Sequence, residues 1–346
     1  MELTVNHLHL SFFGHAECLH DVTLTFGEGV GVLYGEAGGG KTALLKCIAG
    51  INRYEGEILL DGHPLDAGKG GDVGMVFDDL ALFNRRSLWY NLTYPLRIRK
   101  VPKPEWAGIL APLLKQWGLE KTFLDNPTYR ADEAVKVRLA LARAALFPRK
   151  ALLIDNPLAR LRQDDRRAIF WTLSRFLRDY RGVVLYATDS IDEVMSLGEK
   201  VAVLSNGYLL AHDLPATLKR TKPSVYVATQ TNPFWRAIES VAKDGAVHTA
   251  EGVVVANYPP TYEGKRVLAG IAPSMYRLTD GDEYAVRNVL WTEGKWYSVL
   301  ESADRNVVVE GRLDVGQKTS AGLEGRAPVY DASSEWRVDG DEGEEV

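Results

Sequence analysis

The sequence has few cysteines and no excess of basic residues. The first shortage argues against a disulfide-rich or zinc-binding protein, and the second against a nucleic-acid-binding protein. Cys18 and Cys47 are the only thiols among 346 residues, and they do not form a Cys-x-x-Cys motif. Two such cysteines cannot build a disulfide framework; they argue against a zinc site and favour a reducing compartment such as the cytosol. The formal net charge of −5 provides no basic footprint, so we expect no nucleic-acid partner.

Long apolar runs are also missing. No segment approaches the roughly 18 apolar residues that a membrane-spanning helix needs. The N-terminal stretch MELTVNHLHLSFFGHAE lacks the basic start and long apolar run of a signal peptide. An apolar share of 46% and a charged share of 25% are typical of globular proteins. We therefore expect any membrane association to come through a partner.

Apolar spacing predicts an α/β domain over residues 1–220. Alternation in ELTVNHLHLSFF and VTLTF predicts antiparallel strands, whereas VGVLY, ALLID and GVVLYAT read as buried strands. Helical spacing occurs in KTALLKCIAG, between Trp106 and Phe147, and in DDRRAIFWTLSRFLRDY. Buried strands that alternate with helices predict a parallel sheet covered by helices.

The remainder of the chain is rich in short β-type runs. They extend from SVYVAT to APVYD, and turn sequences such as TDGD and TEGK separate several of them. This pattern predicts a small closed or sandwiched β domain over residues 221–338. The acidic stretch DGDEGEEV, residues 339–346, predicts a disordered tail without a specific role.

A phosphate-binding motif lies between a predicted buried strand and a predicted helix. GEAGGGKT, residues 35–42, fits Gly-x-x-x-x-Gly-Lys-Thr. In this motif backbone N–H groups wrap the phosphates, the lysine reaches the outer phosphates and the threonine hydroxyl meets Mg²⁺. A flexible glycine-rich turn is the alternative, but the flanking strand and helix favour phosphate binding. The predicted nucleotide-binding residues are Gly35, Gly38, Gly39, Gly40, Lys41 and Thr42.

A carboxylate for the metal ion is available at the end of another predicted strand. Asp155 closes the apolar run ALLID, which could lie beside the strand that precedes the glycine loop. A strand-end aspartate in this position is suited to hold Mg²⁺ through water. ATP and Mg²⁺ are therefore the predicted cofactors, with Thr42 and Asp155 on the metal.

Five stretches, in the same order as in the family, resemble the ATP-binding cassette (ABC) subunit of sugar importers. They are FFGHAECLHDVTLTF (12–26), GEAGGGKT (35–42), VGMVFDDLALFNRRSLWYNL (73–92), YRADEAVKVRLALARAALFPRKALLIDNPLARL (129–161) and GVVLYATDSIDEVMSLGEKVAVLSNGYLLAHDLPATL (182–218). The resemblance implies an α/β P-loop NTPase cassette with a parallel core sheet, an antiparallel β subdomain and a helical subdomain over about 90–148. It also implies a C-terminal all-β, OB-like domain.

The resemblance implies partners as well. Cassettes of this family work as dimers beneath two transmembrane permease subunits, on the cytoplasmic face of the membrane. The resemblance places Phe13 where the family stacks adenine. The residues that it places at the contact with the membrane partner are Leu82, Phe83, Trp89 and Tyr90. The sugar-importer type makes a carbohydrate or polyol the expected solute.

The chain departs from the family at its catalytic positions. The glutamine that senses the γ-phosphate falls on Asp78, the catalytic glutamate on Asn156 and the switch histidine on Asp189. The dimer-interface aspartate falls on Arg162. The Leu-Ser-Gly-Gly-Gln signature falls on Ala131, Asp132, Glu133, Ala134 and Val135.

These departures lead us to predict a subunit that binds Mg·ATP and hydrolyses it slowly or not at all. An asparagine cannot take a proton from the attacking water at neutral pH, and a general base is worth about 10²- to 10⁴-fold. Because both composite sites of a homodimer would be damaged, we expect a different cassette as partner. One alternative is an active ATPase with relocated chemistry, in which Asp189, Asp78 or Asp164 approaches the water. Another is a soluble, nucleotide-gated regulatory protein.

Overall fold

The structure, a computed structural model, describes residues 1–12, 17–65, 71–232, 234–292, 294–302 and 305–338. The chain divides into two units, Met1–Ala216 and Thr217–Val346. Phe13 and the acidic tail, for which adenine stacking and disorder were predicted, lie outside the described residues.

The first unit contains ten strands and six helices among its described residues. They are β1 Glu2–Ser11, β2 Glu17–Gly27, β3 Gly29–Tyr34, α1 Lys41–Ile48, β4 Glu55–Leu60, β5 His63–Pro64, β6 Val73–Val76, α2 Leu88–Ile98, α3 Trp106–Gln116, α4 Glu133–Ala145, β7 Ala151–Asp155, α5 Gln163–Arg178, β8 Val183–Thr188, α6 Ile191–Leu197, β9 Lys200–Ser205 and β10 Tyr208–Asp213.

A six-stranded sheet in the order β10-β9-β3-β8-β7-β6 forms the centre of this unit. All neighbours pair in parallel except β10, which runs antiparallel to β9. Every residue of β7 and β8 is buried, as expected for strands covered by helices on both faces. The predicted parallel core sheet is therefore confirmed.

A second, antiparallel sheet in the order β2-β1-β4-β5 packs its apolar face into the same core as α1. The register of β1 shifts between Val5 and Leu8, and His7 there adopts a φ of 48°. Both Val5 and Leu8 are buried although they lie three residues apart, because the irregularity returns the apolar residues to the inner face. This sheet corresponds to the predicted antiparallel subdomain.

The helical region begins at α2, slightly earlier than the predicted residue 90. Ser87 sets this start, because its Oγ accepts a hydrogen bond from the Tyr90 backbone N–H at 3.1 Å. The buried Asn91 side chain then fixes the preceding loop: its Oδ1 accepts from the Phe83 N–H at 2.8 Å and its Nδ2 donates to Thr128 Oγ1 at 2.9 Å. Among the helices described, none is both long and apolar enough to cross a membrane.

The second unit is dominated by two antiparallel sheets, which is consistent with the predicted OB-like domain. Its elements are α7 Pro215–Thr221, whose first residues belong to unit 1, α8 Val225–Thr231, β11 Arg236–Lys243, β12 Ala246–Thr249, β13 Gly252–Val255, β14 Arg266–Ile271, β15 Tyr276–Thr292, β16 Lys295–Glu301, β17 Asn306–Glu310, β18 Lys318–Leu323 and β19 Val329–Asp331. The sheets have the orders β13-β12-β11-β14-β19 and β17-β16-β15-β18.

Two local predictions for this unit were wrong. The run SVYVAT is not a strand but begins α8, because Ser224 Oγ caps the Val227 N–H at 3.2 Å and the helix buries Val227, Ala228 and Thr231. The sequence TDGD is not a chain reversal. It lies within β15, where the pairing with β18 shifts between Thr279 and Tyr284 and leaves the intervening residues exposed.

His212 gives the first unit an acid-sensitive position. Its ring packs edge-on against Phe26 with centroids 4.9 Å apart, and burial, assisted by Lys200, lowers the pKa of His212 to about 4. The unfolded histidine titrates near pH 6.5, so between these two values the unfolded chain binds the extra proton. The neutral His212 ring therefore makes its whole contribution to the free energy of unfolding above pH 6.5. That contribution falls as the pH drops toward 4, by at most about 1.4 kcal/mol per pH unit.

We predict that His212→Leu makes the midpoint of thermal unfolding less dependent on pH between 4 and 6.5. The leucine keeps the apolar contact with Phe26 and removes the titrating ring. His63→Leu, at an exposed histidine of β5 in the same unit, is the matched control and should follow the wild type. An unchanged slope in His212→Leu would contradict the assignment.

Candidate functional site

Four neighbouring parallel strands end at one edge of the core sheet, and each is followed by a residue of the predicted site. The glycine loop follows β3, Asp189 follows β8, Asp155 ends β7 and Asp78 lies just beyond β6. Carboxyl ends of parallel strands are the usual place for a ligand crevice. Here they surround a cavity of about 500 Å³.

The glycine loop has a backbone conformation that side chains would obstruct. Gly35 adopts a φ of 155°, and a Cβ placed on it would lie 2.0 Å from the Leu204 carbonyl oxygen. Gly40, at a φ of 104°, is the residue before α1, so the N–H groups of the first helical turn start directly after it. This is the arrangement in which a helix N-terminus and a loop bind phosphate.

Lys41 is nearly buried, at 7% exposure, and its amine is held within the loop. Its Nζ donates to the carbonyl oxygens of Gly35 and Glu36, both at 2.7 Å. Burial lowers the pKa of Lys41, while the carboxylates of Asp189, Asp155 and Glu36 oppose that shift. The amine is thus positioned over the glycine loop, where the outer phosphates of a nucleotide would meet it.

Thr42 and Asp155 form a site suited to a magnesium ion. Thr42 Oγ1 donates to Asp155 Oδ1 at 3.1 Å, and Asp155 is only 2% exposed. Its second oxygen, Oδ2, has no hydrogen-bond partner within the described part of the chain. Burial raises the pKa of Asp155, with Asp78 adding to the shift and Thr42 opposing it. A buried carboxylate oxygen left over beside a hydroxyl fits the oxygen ligands that Mg²⁺ prefers.

Asn156, the position that the resemblance assigns to the catalytic glutamate, carries a neutral amide. Its backbone is left-handed, with a φ of 40°, and its N–H donates to the Ala187 carbonyl at 2.9 Å. Asparagine tolerates this conformation better than most residues. Asn156 lines the cavity, and its Oδ1 is buried without a hydrogen-bond partner among the residues described. A neutral amide can orient a ligand or a water there, but it cannot take up a proton at neutral pH.

The other substituted positions divide into two groups. Asp78 and Asp189 line the cavity together with the glycine loop, and both are exposed to solvent. Arg162 and Asp164, at the start of α5, are exposed and are not among the described residues that line it. The signature segment, Ala131 to Val135, lies at the N-terminus of α4, again apart from the cavity lining in the described chain.

Several residues of the cavity were not predicted from the sequence. They are Phe12, Cys18, Ala37, Ala43, Lys46 and Asn52. Helical spacing could have identified Lys46, because it follows Thr42 by four residues on α1 and so lies on the same face. Phe12 is the neighbour of the predicted Phe13, whereas Asn52 and Cys18 carry no recognisable pattern.

A buried hydrogen-bond network supports the loop that contains Asp189, and sequence reasoning missed it. Glu193 of α6 is 4% exposed and accepts hydrogen bonds from Tyr186 OH at 2.9 Å, Thr188 Oγ1 at 2.6 Å and Arg166 Nε at 2.9 Å. Thr188 Oγ1 in turn accepts from the Ser190 N–H at 3.0 Å. The two residues that flank Asp189 are therefore fixed by one carboxylate.

The predicted docking residues lie around the loop before α2. Phe83 is 41% exposed, while Leu82, Trp89 and Tyr90 are half-buried. The Phe83 ring packs edge-on against Tyr94, with centroids 4.8 Å apart, and against Tyr90 at 5.9 Å. Phe83 and Tyr94 also line a groove of about 280 Å³, together with residues that include Arg143 and Phe147. Membrane-partner contact remains a prediction for these residues.

Comparison with known proteins agrees with this geometry. Residues 19–159 match the family described as ABC transporter. The sn-glycerol-3-phosphate import ATP-binding protein UgpC of Bordetella bronchiseptica is 26% identical over 359 residues, which cover 98% of this chain and 99% of that protein. The Fe(3+) ions import ATP-binding protein FbpC of Escherichia coli is 30% identical and covers 63% of each chain.

Among solved structures, cbiO1 from Clostridium perfringens, part of the ABC transporter complex cbiONQ, superposes with a TM-score of 0.56. The two proteins are 25% identical, and the match covers 64% of this chain and 91% of that one. The match therefore supports the cassette fold that the sequence predicts.

We predict that Glu193→Ala destabilises the first unit by about 2–4 kcal/mol, because it leaves the buried Tyr186 hydroxyl and the Arg166 guanidinium without their acceptor. The midpoint of thermal unfolding should fall by roughly 5–10 °C. Asp192→Ala, at the exposed neighbouring carboxylate of the same helix, is the matched control and should change the midpoint little. If both variants lower the midpoint of thermal unfolding equally, the hydrogen bonds of Glu193 do not stabilise the unit more than an exposed carboxylate does.

Proposed function

We propose that this chain, an ATP-binding subunit of the ABC importer family, holds Mg·ATP and hydrolyses it slowly or not at all. The observation that carries this proposal is the composition of one cavity. It combines Lys41, Thr42 and Asp155, the groups suited to hold a nucleotide, with the amide of Asn156, the position that resembles the family's catalytic glutamate.

Binding is supported by contacts that already exist between the holding groups. Lys41 is fixed over the glycine loop by two carbonyl oxygens, and Asp155 is oriented by Thr42. The glycine loop and the start of α1 supply N–H donors for the phosphates. Bound Mg²⁺ would supply charge neutralisation for those phosphates, with Thr42 and Asp155 as its protein ligands.

Slow hydrolysis is supported by the groups that face the same cavity. Loss of a general base costs about 10²- to 10⁴-fold in rate. A lost electrostatic contact to the transferring phosphoryl group costs about 10²- to 10³-fold, and Asp189 places a carboxylate at the position that resembles the family's switch histidine. The two losses act on one step and do not simply add. Either one is enough to slow turnover severely.

The signature segment supports pairing with a different cassette. Asp132 precedes α4 and is exposed, and Glu133 occupies the first turn, where it lies 3.5 Å from Lys136. A helix N-terminus normally attracts phosphate, but two carboxylates at this end would repel it. In a homodimer both composite sites would have a poor signature and no base, so hydrolysis would have to come from a partner with intact groups.

An active enzyme with relocated chemistry is the second candidate, and one observation favours it. Asp189 lines the cavity and is the largest charged contributor to the pKa of Lys41. A carboxylate in this position could accept the proton of an attacking water. In that case Asp189→Asn would abolish a measurable ATP turnover, whereas a non-hydrolysing subunit would show no turnover to lose.

We further propose that the subunit binds a transmembrane permease on the cytoplasmic face of the membrane and supports solute uptake. Relatives named for sn-glycerol-3-phosphate import extend over nearly the whole chain, which favours a sugar or polyol-type solute. The exposed Phe83 and its aromatic neighbours provide the contact surface.

For the nucleotide site, we expect the purified full-length chain to bind Mg·ATP and to release phosphate at least about a hundred-fold more slowly than an ordinary cassette. Calorimetric titration measures binding, and a coupled phosphate assay measures turnover. Lys41→Ala should abolish binding, and Lys115→Ala, at an exposed lysine of α3, should leave it intact. Brisk turnover that is lost in Lys41→Ala would contradict the proposal.

For the membrane contact, we expect the tagged chain, isolated from its native membrane, to bring with it a multi-spanning membrane protein. Phe83→Asp should reduce that recovery at least about fivefold, because a charge replaces an apolar anchor. Phe123→Asp, at a phenylalanine that is 56% exposed elsewhere on the helical region, is the matched control and should have no effect. If Phe83→Asp and Phe123→Asp recover equal amounts of the membrane protein, Phe83 does not contribute to the membrane contact.

A further inference from the structure

We infer that Asp78 and Asp189 determine which nucleotide this cavity prefers: they disfavour a terminal γ-phosphate, so that the chain binds Mg·ADP at least as tightly as Mg·ATP. This inference rests on the proposed function, because it requires the cavity to bind a nucleotide at the glycine loop. It gives Asp78 and Asp189 a role in the choice between ADP and ATP, in addition to the slow hydrolysis already proposed.

The first support is the balance of charge around the cavity. Two lysines, Lys41 and Lys46, line it, and so do three aspartates, Asp78, Asp155 and Asp189. Asp155 has a defined use, because its buried Oδ2 lacks a hydrogen-bond partner in the described chain and is available to a metal ion. Asp78 and Asp189 add two further carboxylates to the lining of the same cavity.

The second support is where these two carboxylates lie. The lysine of a glycine loop reaches the outer phosphates, and Asp189 lines the same cavity as Lys41 and opposes the lowering of the Lys41 pKa more than Asp155 or Glu36 does. Asp78, which lies just beyond the adjacent strand β6, repels the carboxylate of Asp155 and so adds to the rise in the pKa of Asp155. The two charges therefore approach the lysine and the metal ligand, which are the two groups that contact the end of the phosphate chain.

The third support concerns what a γ-phosphate would add. A triphosphate carries more negative charge than a diphosphate, and the extra charge lies at the end nearest Lys41. Asp78 and Asp189 are both exposed, so their repulsion is partly screened by solvent. We therefore expect each to weaken triphosphate binding by about 3- to 10-fold at low salt and to affect diphosphate binding much less.

The experiment measures dissociation constants of Mg·ADP and Mg·ATP for the full-length chain by calorimetric titration at low ionic strength. The variants are Asp78→Asn, Asp189→Asn and the double variant, which keep the side-chain size and remove the charge. Asp179→Asn, at an exposed aspartate after α5 that is not among the described cavity residues, is the matched control. Thermal unfolding verifies that each variant is folded.

The expected result has three parts. Wild-type chain binds Mg·ADP at least as tightly as Mg·ATP; each single variant binds Mg·ATP about 3- to 10-fold more tightly, with Mg·ADP changed less than about twofold; and the control changes neither constant. The gain for Mg·ATP should also shrink in high salt, because the Debye length falls to about 3 Å at 1 M.

Two results would overturn the inference, and they are distinguishable. If wild-type chain binds Mg·ATP more tightly than Mg·ADP, or if the variants leave both constants unchanged or change them equally, the selectivity assignment is wrong while nucleotide binding stands. If neither nucleotide binds to wild-type chain, the proposed function fails and the inference fails with it.

Discussion

The buried carboxylate of Asp155 is the constraint on which the site depends. An ionised carboxylate that is almost completely removed from water costs several kcal/mol unless it is paired. Here Thr42 satisfies one oxygen only, and burial raises the pKa of the group. Asp155 is buried because it is the last residue of β7, a strand that is covered on both faces and ends directly at the cavity. A divalent cation with its nucleotide is the ligand class that would relieve it.

The same constraint explains why part of the site could be predicted from the sequence. Strands that are buried on both faces must read as continuous apolar runs, as ALLID and VVLYAT do, and they align their last residues at one edge. The glycine loop was equally readable, because only glycine accepts the backbone angles seen at Gly35. Local pattern therefore identified Lys41, Thr42 and Asp155, three groups that the structure brings together.

Other features depend on contacts between distant parts of the chain and left no local signal. Glu193 is an ordinary acidic residue of a short helix until Tyr186 and Arg166 are brought to it by the sheet and by α5. SVYVAT has a strand-like composition, but a side-chain cap and burial of one helical face decide otherwise. TDGD has turn residues, yet the neighbouring strand β18 continues to pair on both sides of it.

Four of the positions at which the sequence departs from the family that it resembles lie where the fold tolerates substitution. Asp78, Asp189, Asp132 and Arg162 are exposed, and substitutions at exposed positions usually alter stability by less than about 0.5 kcal/mol. Asn156 is different, because it occupies a left-handed backbone position that a glutamate would enter only with strain. Restoring a carboxylate there would therefore act against the local backbone, whereas the groups that hold phosphate and metal are bound into the core through Gly35, Lys41 and Thr42. The groups that can hold phosphate and metal are thus part of the buried framework of the cavity, whereas Asp78 and Asp189 lie at its exposed border.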